Sequence, residues 1–258
     1  MIGAIAGDII GSIYEGKVIG TIDFPLFSEK SKFTDDTVMS IAVADAILTG
    51  KDYVTVYKEY GRQYARAGYG GRFKKWIFSD DTEPYNSYGN GSAMRVSPIG
   101  FALETIEKVL EEARRSAEVT HNHPEGIKGA QATAAAVFLS LKGSSKKEIK
   151  DYIVSNFQYN LDKTLEEISK SYRFEISCQV TVPESITVFL ESKNFEDAIR
   201  KAVFLGGDSD TIASIAGSIA QAFYKKIPRE IVKKTYQKLS PDLLKIVEQF
   251  NTTFKITL

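Results

Sequence analysis

After Thr34 the apolar residues Val38, Met39, Ile41, Ala42, Ala44, Ala46 and Ile47 recur at helical spacing, and Gly50 ends the run. The same period predicts helices over 53–67, stopped by Gly68, and over 101–119, where apolar pairs alternate with charges as on a half-exposed helix. Residues 129–141 are apolar nearly all round, with five alanines, which predicts a core helix that neighbours approach closely. Further helices are predicted over 146–156, 183–191, 195–204, 211–224, 229–238 and 241–250. Period-two alternation is confined to the tail, 252–258. The pattern therefore predicts an all-α fold, one compact multi-helix domain over 1–258. The stretches 16–33, 68–92, 121–126, 159–182 and 205–209 are left irregular. The long Gly/Asn/Asp-rich loop 68–92 points to function more than to linkage.

Composition narrows the classes. Hydrophobic residues make up 43% of the 258, enough for a sizeable core. The 33 basic and 33 acidic side chains cancel, which argues against a duplex-DNA or membrane-surface protein. The lone Cys178 excludes an internal disulfide and reads as a buried thiol in a reducing compartment. The apolar start, 1–14, lacks a basic leader and is broken by Asp8, so it reads poorly as a signal peptide. No apolar run approaches the roughly 20 residues of a membrane span. A cytoplasmic protein is expected.

Two acidic motifs change the picture. Thr34-Asp35-Asp36-Thr37 stands where a helix begins, and a cap with an acidic first turn would account for it alone. Gly206-Gly207-Asp208-Ser209-Asp210-Thr211 has the same form before the small-residue helix 211–224. A cap needs one oxygen, whereas each motif supplies several close to an apolar core. Clustered carboxylates at low dielectric repel one another unless a cation neutralises them. Two motifs about 170 residues apart, with oxygen donors only, suggest a shared site for Mg²⁺ or Mn²⁺. Zinc would be expected to recruit Cys or His. The only histidines are His121 and His123, in Thr120-His121-Asn122-His123-Pro124. They could hold a metal or a phosphate, or, for His123, cap a helix entered at Pro124.

The chain resembles the ADP-ribosylglycohydrolases, the family of dinitrogenase-reductase-activating glycohydrolase and the ADP-ribosyl-acceptor hydrolases. Five stretches in order carry the resemblance from Gly3 to about Tyr224. They are Gly7-Asp8 with Gly11 to Glu15, the first acidic motif, Ser87-Tyr88-Gly89-Asn90-Gly91-Ser92-Ala93-Met94-Arg95, the histidine stretch and the second acidic motif. The resemblance implies two Mg²⁺ (or Mn²⁺) ions held by Thr34, Asp35 and Asp36 from one helix start and by Asp208, Asp210 and Thr211 from the other. It implies that Glu15, beside the hinge glycine Gly16, gates the site and polarises or deprotonates water, with Asp35 and Asp36 completing the catalytic set. It implies that Ser87, Tyr88, Gly89, Asn90 and His121 line an ADP-ribose groove, with Tyr88 stacked on adenine and Tyr85 as the candidate for a second aromatic that some relatives place just before it. The implied reaction removes ADP-ribose from a modified protein or small-molecule acceptor, by cleavage at ribose C1″. Nucleic acid enters only as a modified substrate, and no membrane partner is implied.

Two other readings compete. Asp208-Ser209-Asp210-Thr211 resembles the phosphotransferase motif of haloacid-dehalogenase-like enzymes, but it precedes a helix late in a strand-poor chain. A non-catalytic ADP-ribose-binding or structural protein of the same fold is the alternative, which the intact acidic sets and Glu15 disfavour.

Overall fold

A computed structural model of the chain describes residues 1–256. The fold is all-α, as the periodicity predicts. Its helices are α1 (Ile2–Gly11), α2 (Asp35–Thr49), α3 (Tyr53–Gln63), α4 (Gly71–Phe78), α5 (Gly91–Met94), α6 (Ser97–Ala102), α7 (Ile106–Glu118), α8 (Pro124–Lys142), α9 (Lys146–Phe157), α10 (Leu165–Ser171), α11 (Cys178–Glu191), α12 (Phe195–Leu205), α13 (Ser209–Tyr224), α14 (Arg229–Lys238) and α15 (Pro241–Thr253). No strand forms among the described residues, where Gly89 and Ser177 make the one β-bridge. Of the alternating tail, residues 252 and 253 finish α15, 254–256 form no strand, and 257–258 lie outside the described residues.

Two apolar clusters share α2 and α8. On α8, Ala130, Ala134 and Phe138 face one cluster while Ala132, Ala135 and Ala136 face the other. A helix apolar on all sides is thereby buried on all sides. Most intimate is the pairing of α1 with α13. A Cβ on Gly7 would lie 2.1 Å from the Ala213 carbonyl oxygen, and one on Gly3 2.2 Å from that of Gly217. Glycines spaced by four thus form a groove that lets two backbones touch, and the last of them, Gly11, abuts Asp210.

Several boundaries depart from the periodicity. Helix α1 has no polar face, so no amphipathic period marks it, and all ten of its residues are buried. Helix α3 ends four residues before the expected stop; the released turn brings the Ala67 carbonyl onto the Asp35 N–H at 3.0 Å. The 101–119 run is split, because Thr105 caps a new helix, α7. Helix α11 starts at Cys178 and carries Pro183 inside it, whereas the sequence places the start at the proline. A tertiary contact decides this: the Cys178 N–H donates to the Tyr88 carbonyl at 2.9 Å. Helices α4 and α10 lie within stretches read as irregular; α10 is nucleated by a capping box, Thr164 with Glu167.

Candidate active site and acidic centre

Asp8, in the last turns of α1, organises the first acidic motif. Its fully buried carboxylate accepts from Thr34 N (2.9 Å), Thr34 Oγ1 (2.7 Å), Thr37 N (3.1 Å) and Thr37 Oγ1. An anion is thereby fixed at the positive end of α2. Thr34 is the N-cap of α2, and its hydroxyl also accepts from Asp36 N at 3.3 Å. The cap and the acidic function coexist in one motif.

The second motif reaches the first. Thr211 Oγ1 donates to Asp36 Oδ2 at 3.2 Å, joining the start of α13 to the start of α2. Asp208 Oδ2 accepts from Asn90 Nδ2 at 2.6 Å, and Asp210 Oδ1 accepts from Thr211 N at 3.0 Å. Gly206 and Gly207 both adopt positive φ, +78° and +63°, which turns the chain sharply between α12 and α13. The Gly207 carbonyl accepts from Gly16 N at 2.7 Å, so the turn also anchors the loop that carries Glu15. Carboxylate oxygens of Glu15, Asp208 and Asp210 lie within 4.8 Å of one another.

Burial and mutual repulsion push these carboxyls up. Asp36 lies well above the usual carboxylate range, first through burial and then through Asp210 and Asp8. Asp210 does likewise, through burial and then Asp208. Asp35 rises to about 7, through burial and the charge of Asp8. Asp8 rises to about 6, burial outweighing the threonine hydrogen bonds. Burial raises Asp208 against its hydrogen bonds, and raises Glu15, with Asp208 adding and Lys32 opposing. Asp36 Oδ1 is buried with no hydrogen-bond partner among the described residues. An orphaned carboxylate oxygen among like charges is costly, and a divalent cation would satisfy both deficits at once. An all-oxygen donor set fits a hard cation such as Mg²⁺ or Mn²⁺.

The acidic groups line a cleft of about 540 Å³. Of the residues expected from sequence, Glu15, Thr34, Asp35, Asp36, Ser87, Gly89, Asn90, His121, Asp208, Asp210 and Thr211 all line it. Tyr88 does not: it is 49% exposed, with its ring against His123 at 5.2 Å. Tyr85 lines the cleft instead, between the Arg72 guanidinium (4.9 Å) and the His121 ring (6.1 Å). His123 caps α8, accepting from Glu125 N at 3.1 Å, which is the structural role available to it. The lining also includes Arg72, Arg95, Phe174 and Ile176, to which the sequence assigned no role. Phe174 and Ile176 carried no signal, because they sit in a loop with no period. Buried Cys178, pushed up to about 12 by burial, is a packed thiol, not a nucleophile in waiting. No helix among the described residues is long and apolar enough to cross a membrane.

A sequence model of the ADP-ribosylglycohydrolase family matches residues 1–255. The chain is 29% identical to "ADP-ribosylhydrolase ARH3" of Homo sapiens, over 86% of this chain and 83% of that one. It is 27% identical to "ADP-ribosylarginine hydrolase Tri1" of Pseudomonas putida (strain GB-1), over 94% of this chain and 76% of that one. Among solved structures, an "ADP-ribosylglycohydrolase-related protein complex" superposes with a TM-score of 0.74 at 23% identity, covering 100% of this chain and 97% of that one, a likeness of fold.

Proposed function

The chain belongs to the ADP-ribosylglycohydrolase family, and from that premise we propose that it is a divalent-metal-dependent hydrolase that frees ADP-ribose from an acceptor by cleaving the glycosidic bond at ribose C1″. The observation that carries this reading is the meeting of the two acidic motifs at Thr211 and Asp36, in the lining of a cleft that also holds Arg72, Tyr85 and His121.

Glu15, Asp35, Asp36, Asp208 and Asp210 would hold one or two Mg²⁺ or Mn²⁺ ions, with the hydroxyls of Thr34 and Thr211 as further donors. Such an ion, when bound, supplies positive charge that orients vicinal hydroxyls and acidifies water. Asn90 holds Asp208 in place through its amide, and Asp8 holds Asp35 and Asp36 through the helix start it anchors. Glu15, the exposed member of the acidic group, would serve as base for the attacking water, and burial and Asp208 raise its affinity for the proton it would take. Water adds at C1″ through an oxocarbenium-like transition state, and the acceptor departs with a proton. The Arg72 guanidinium suits the diphosphate, beside the Ser87–Gly91 stretch, and Tyr85 offers its ring to the base.

A panel of defined conjugates, ADP-ribosyl-arginine, ADP-ribosyl-serine, O-acetyl-ADP-ribose and ADP-ribosylated nucleic acid, tests this with EDTA, Mg²⁺ or Mn²⁺. Release of ADP-ribose from at least one conjugate, abolished by chelator and restored by metal, is expected. Full activity in EDTA removes the metal from the reading. Tight ADP-ribose binding with no release from any conjugate replaces the enzyme with a binding protein.

A further inference from the structure

Arg95 is the largest fully buried side chain, 1% exposed, and no ion pair involves it among the described residues. A buried guanidinium without a carboxylate is costly, so its contacts bear on what it does. Its charge lies 4.3 Å from the centroid of the Tyr57 ring. Its Nη2 donates to the Ser116 carbonyl (2.8 Å) and to Thr120 Oγ1 (3.0 Å). Thr120 is itself wholly buried, and its Oγ1 lies 2.8 Å from His121 Nδ1.

The donor count fixes the proton. A guanidinium can only donate, so the threonine oxygen accepts from Arg95. The threonine's own proton then has His121 Nδ1 as its one acceptor among the described residues. The other tautomer, with the proton on Nδ1, would leave a buried hydroxyl proton unsatisfied. With Nδ1 accepting, Nε2 carries the hydrogen. That nitrogen looks toward Gly91 and Gly89, where added Cβ atoms would come within 3.3 and 3.7 Å of it.

We propose that Arg95 and Thr120 are positioning residues that lock His121 as the neutral Nε2–H tautomer, giving the cleft a fixed hydrogen-bond donor for an anionic oxygen of the substrate. The identity of that oxygen, a phosphoryl group, rests on the reading of the site given above; the tautomer does not. Burial, and then the charges of Arg95 and Arg72, hold the His121 pKa well below the usual histidine value, so the ring does not protonate near neutrality. Tyr85, the other titratable group against the ring, is pushed up to about 12 by burial and stays neutral as well.

With two histidines in the chain, ¹⁵N-histidine labelling of the full-length protein and long-range ¹H–¹⁵N spectra read the tautomer directly, His123→Asn supplying the assignment. Wild-type His121 is expected to show a pyridine-like Nδ1 and a pyrrole-like Nε2 that persist from mildly acidic to mildly alkaline pH. Thr120→Val is expected to mix the tautomers and to weaken ADP-ribose binding, measured calorimetrically, by about 3- to 10-fold, the scale of one hydrogen bond. Thr120→Ser is expected to restore both. An Nδ1–H signature in the wild type, or a wild-type His121 spectrum in Thr120→Val, overturns the proposal. Failure of wild-type protein to bind ADP-ribose sinks the ligand reading above, while the spectra still decide the lock.

Discussion

Asp36 shows how one residue serves folding and chemistry with opposite signs. Its Oδ2 accepts from Thr211 and thereby joins two helices, while its Oδ1 is buried without a partner among the described residues. In the metal-free protein that carboxylate is a liability, held up in pKa by burial and by Asp210. Asp36→Asn and Asp210→Asn are each expected to lower metal-dependent hydrolysis by more than about 100-fold, beyond the range typical of groups that merely support a ligand. Both variants are expected to stay folded, and in EDTA their thermal midpoints should equal or exceed that of the wild type. Mg²⁺ or Mn²⁺ should raise the wild-type midpoint and leave theirs unmoved. Turnover like the wild type's in either variant would refute the shared centre. Asp8 differs in kind: its hydrogen bonds are taken up by Thr34 and Thr37, so it fixes the start of α2 and has little capacity left for an ion.

Among the helices, the contact that matters most for the site is that of α1 with α13. Asp8 and Asp210 belong to different helices, and each charges the other's surroundings because glycines 3, 7 and 11 let those helices close to backbone contact. Gly7→Ala would put a methyl group 2.1 Å from the Ala213 carbonyl oxygen, a clash with backbone that no rotamer relieves. It is expected to cost about 1–3 kcal/mol of stability, the usual scale of overpacking, read as a lowered urea midpoint. Cation affinity should fall as well, because the start of α13 moves away from that of α2. An unchanged urea midpoint would mean that the groove is looser than its geometry. The acidic ends of α2 and α13 also illustrate a general point: a helix start that merely needs a cap is filled by Thr34, and the adjacent carboxylates remain free for another use.

Across the whole molecule the cleft gathers acidic groups at the starts of α2 and α13, with Lys32 and Arg72 also in its lining, although the chain carries no net charge. The acidic groups tie stability to pH. Asp8 and Asp35, raised from 3.8 to about 6 and about 7, keep their protons in the folded state at pH values where the unfolded chain has lost them. The folded state then binds more protons, so the contribution of these two groups to metal-free stability falls as pH rises through that window and is gone above it. A cation would remove the repulsion and compete with protons at Asp35 and its acidic neighbours, so stabilisation by Mg²⁺ should be larger at about pH 8 than at about pH 5. Thermal midpoints with and without EDTA measure this, and a gain independent of pH would contradict it. The sequence by itself determined the helical class, the ends of several helices such as α2, α9, α12 and α14, and the two acidic motifs, because helix period, caps and glycine stops are local properties that neighbouring residues express together. Helix α1 and the early start of α11 stayed hidden: one has no polar face to reveal a period, and the other is set by Tyr88, ninety residues away in sequence. Only the tertiary structure decided that Tyr85 and not Tyr88 lines the cleft, that Asp8 organises α2, and that Arg95 reaches Thr120 beside His121. Such facts depend on which helices touch, and long-range packing leaves no period in the chain to read.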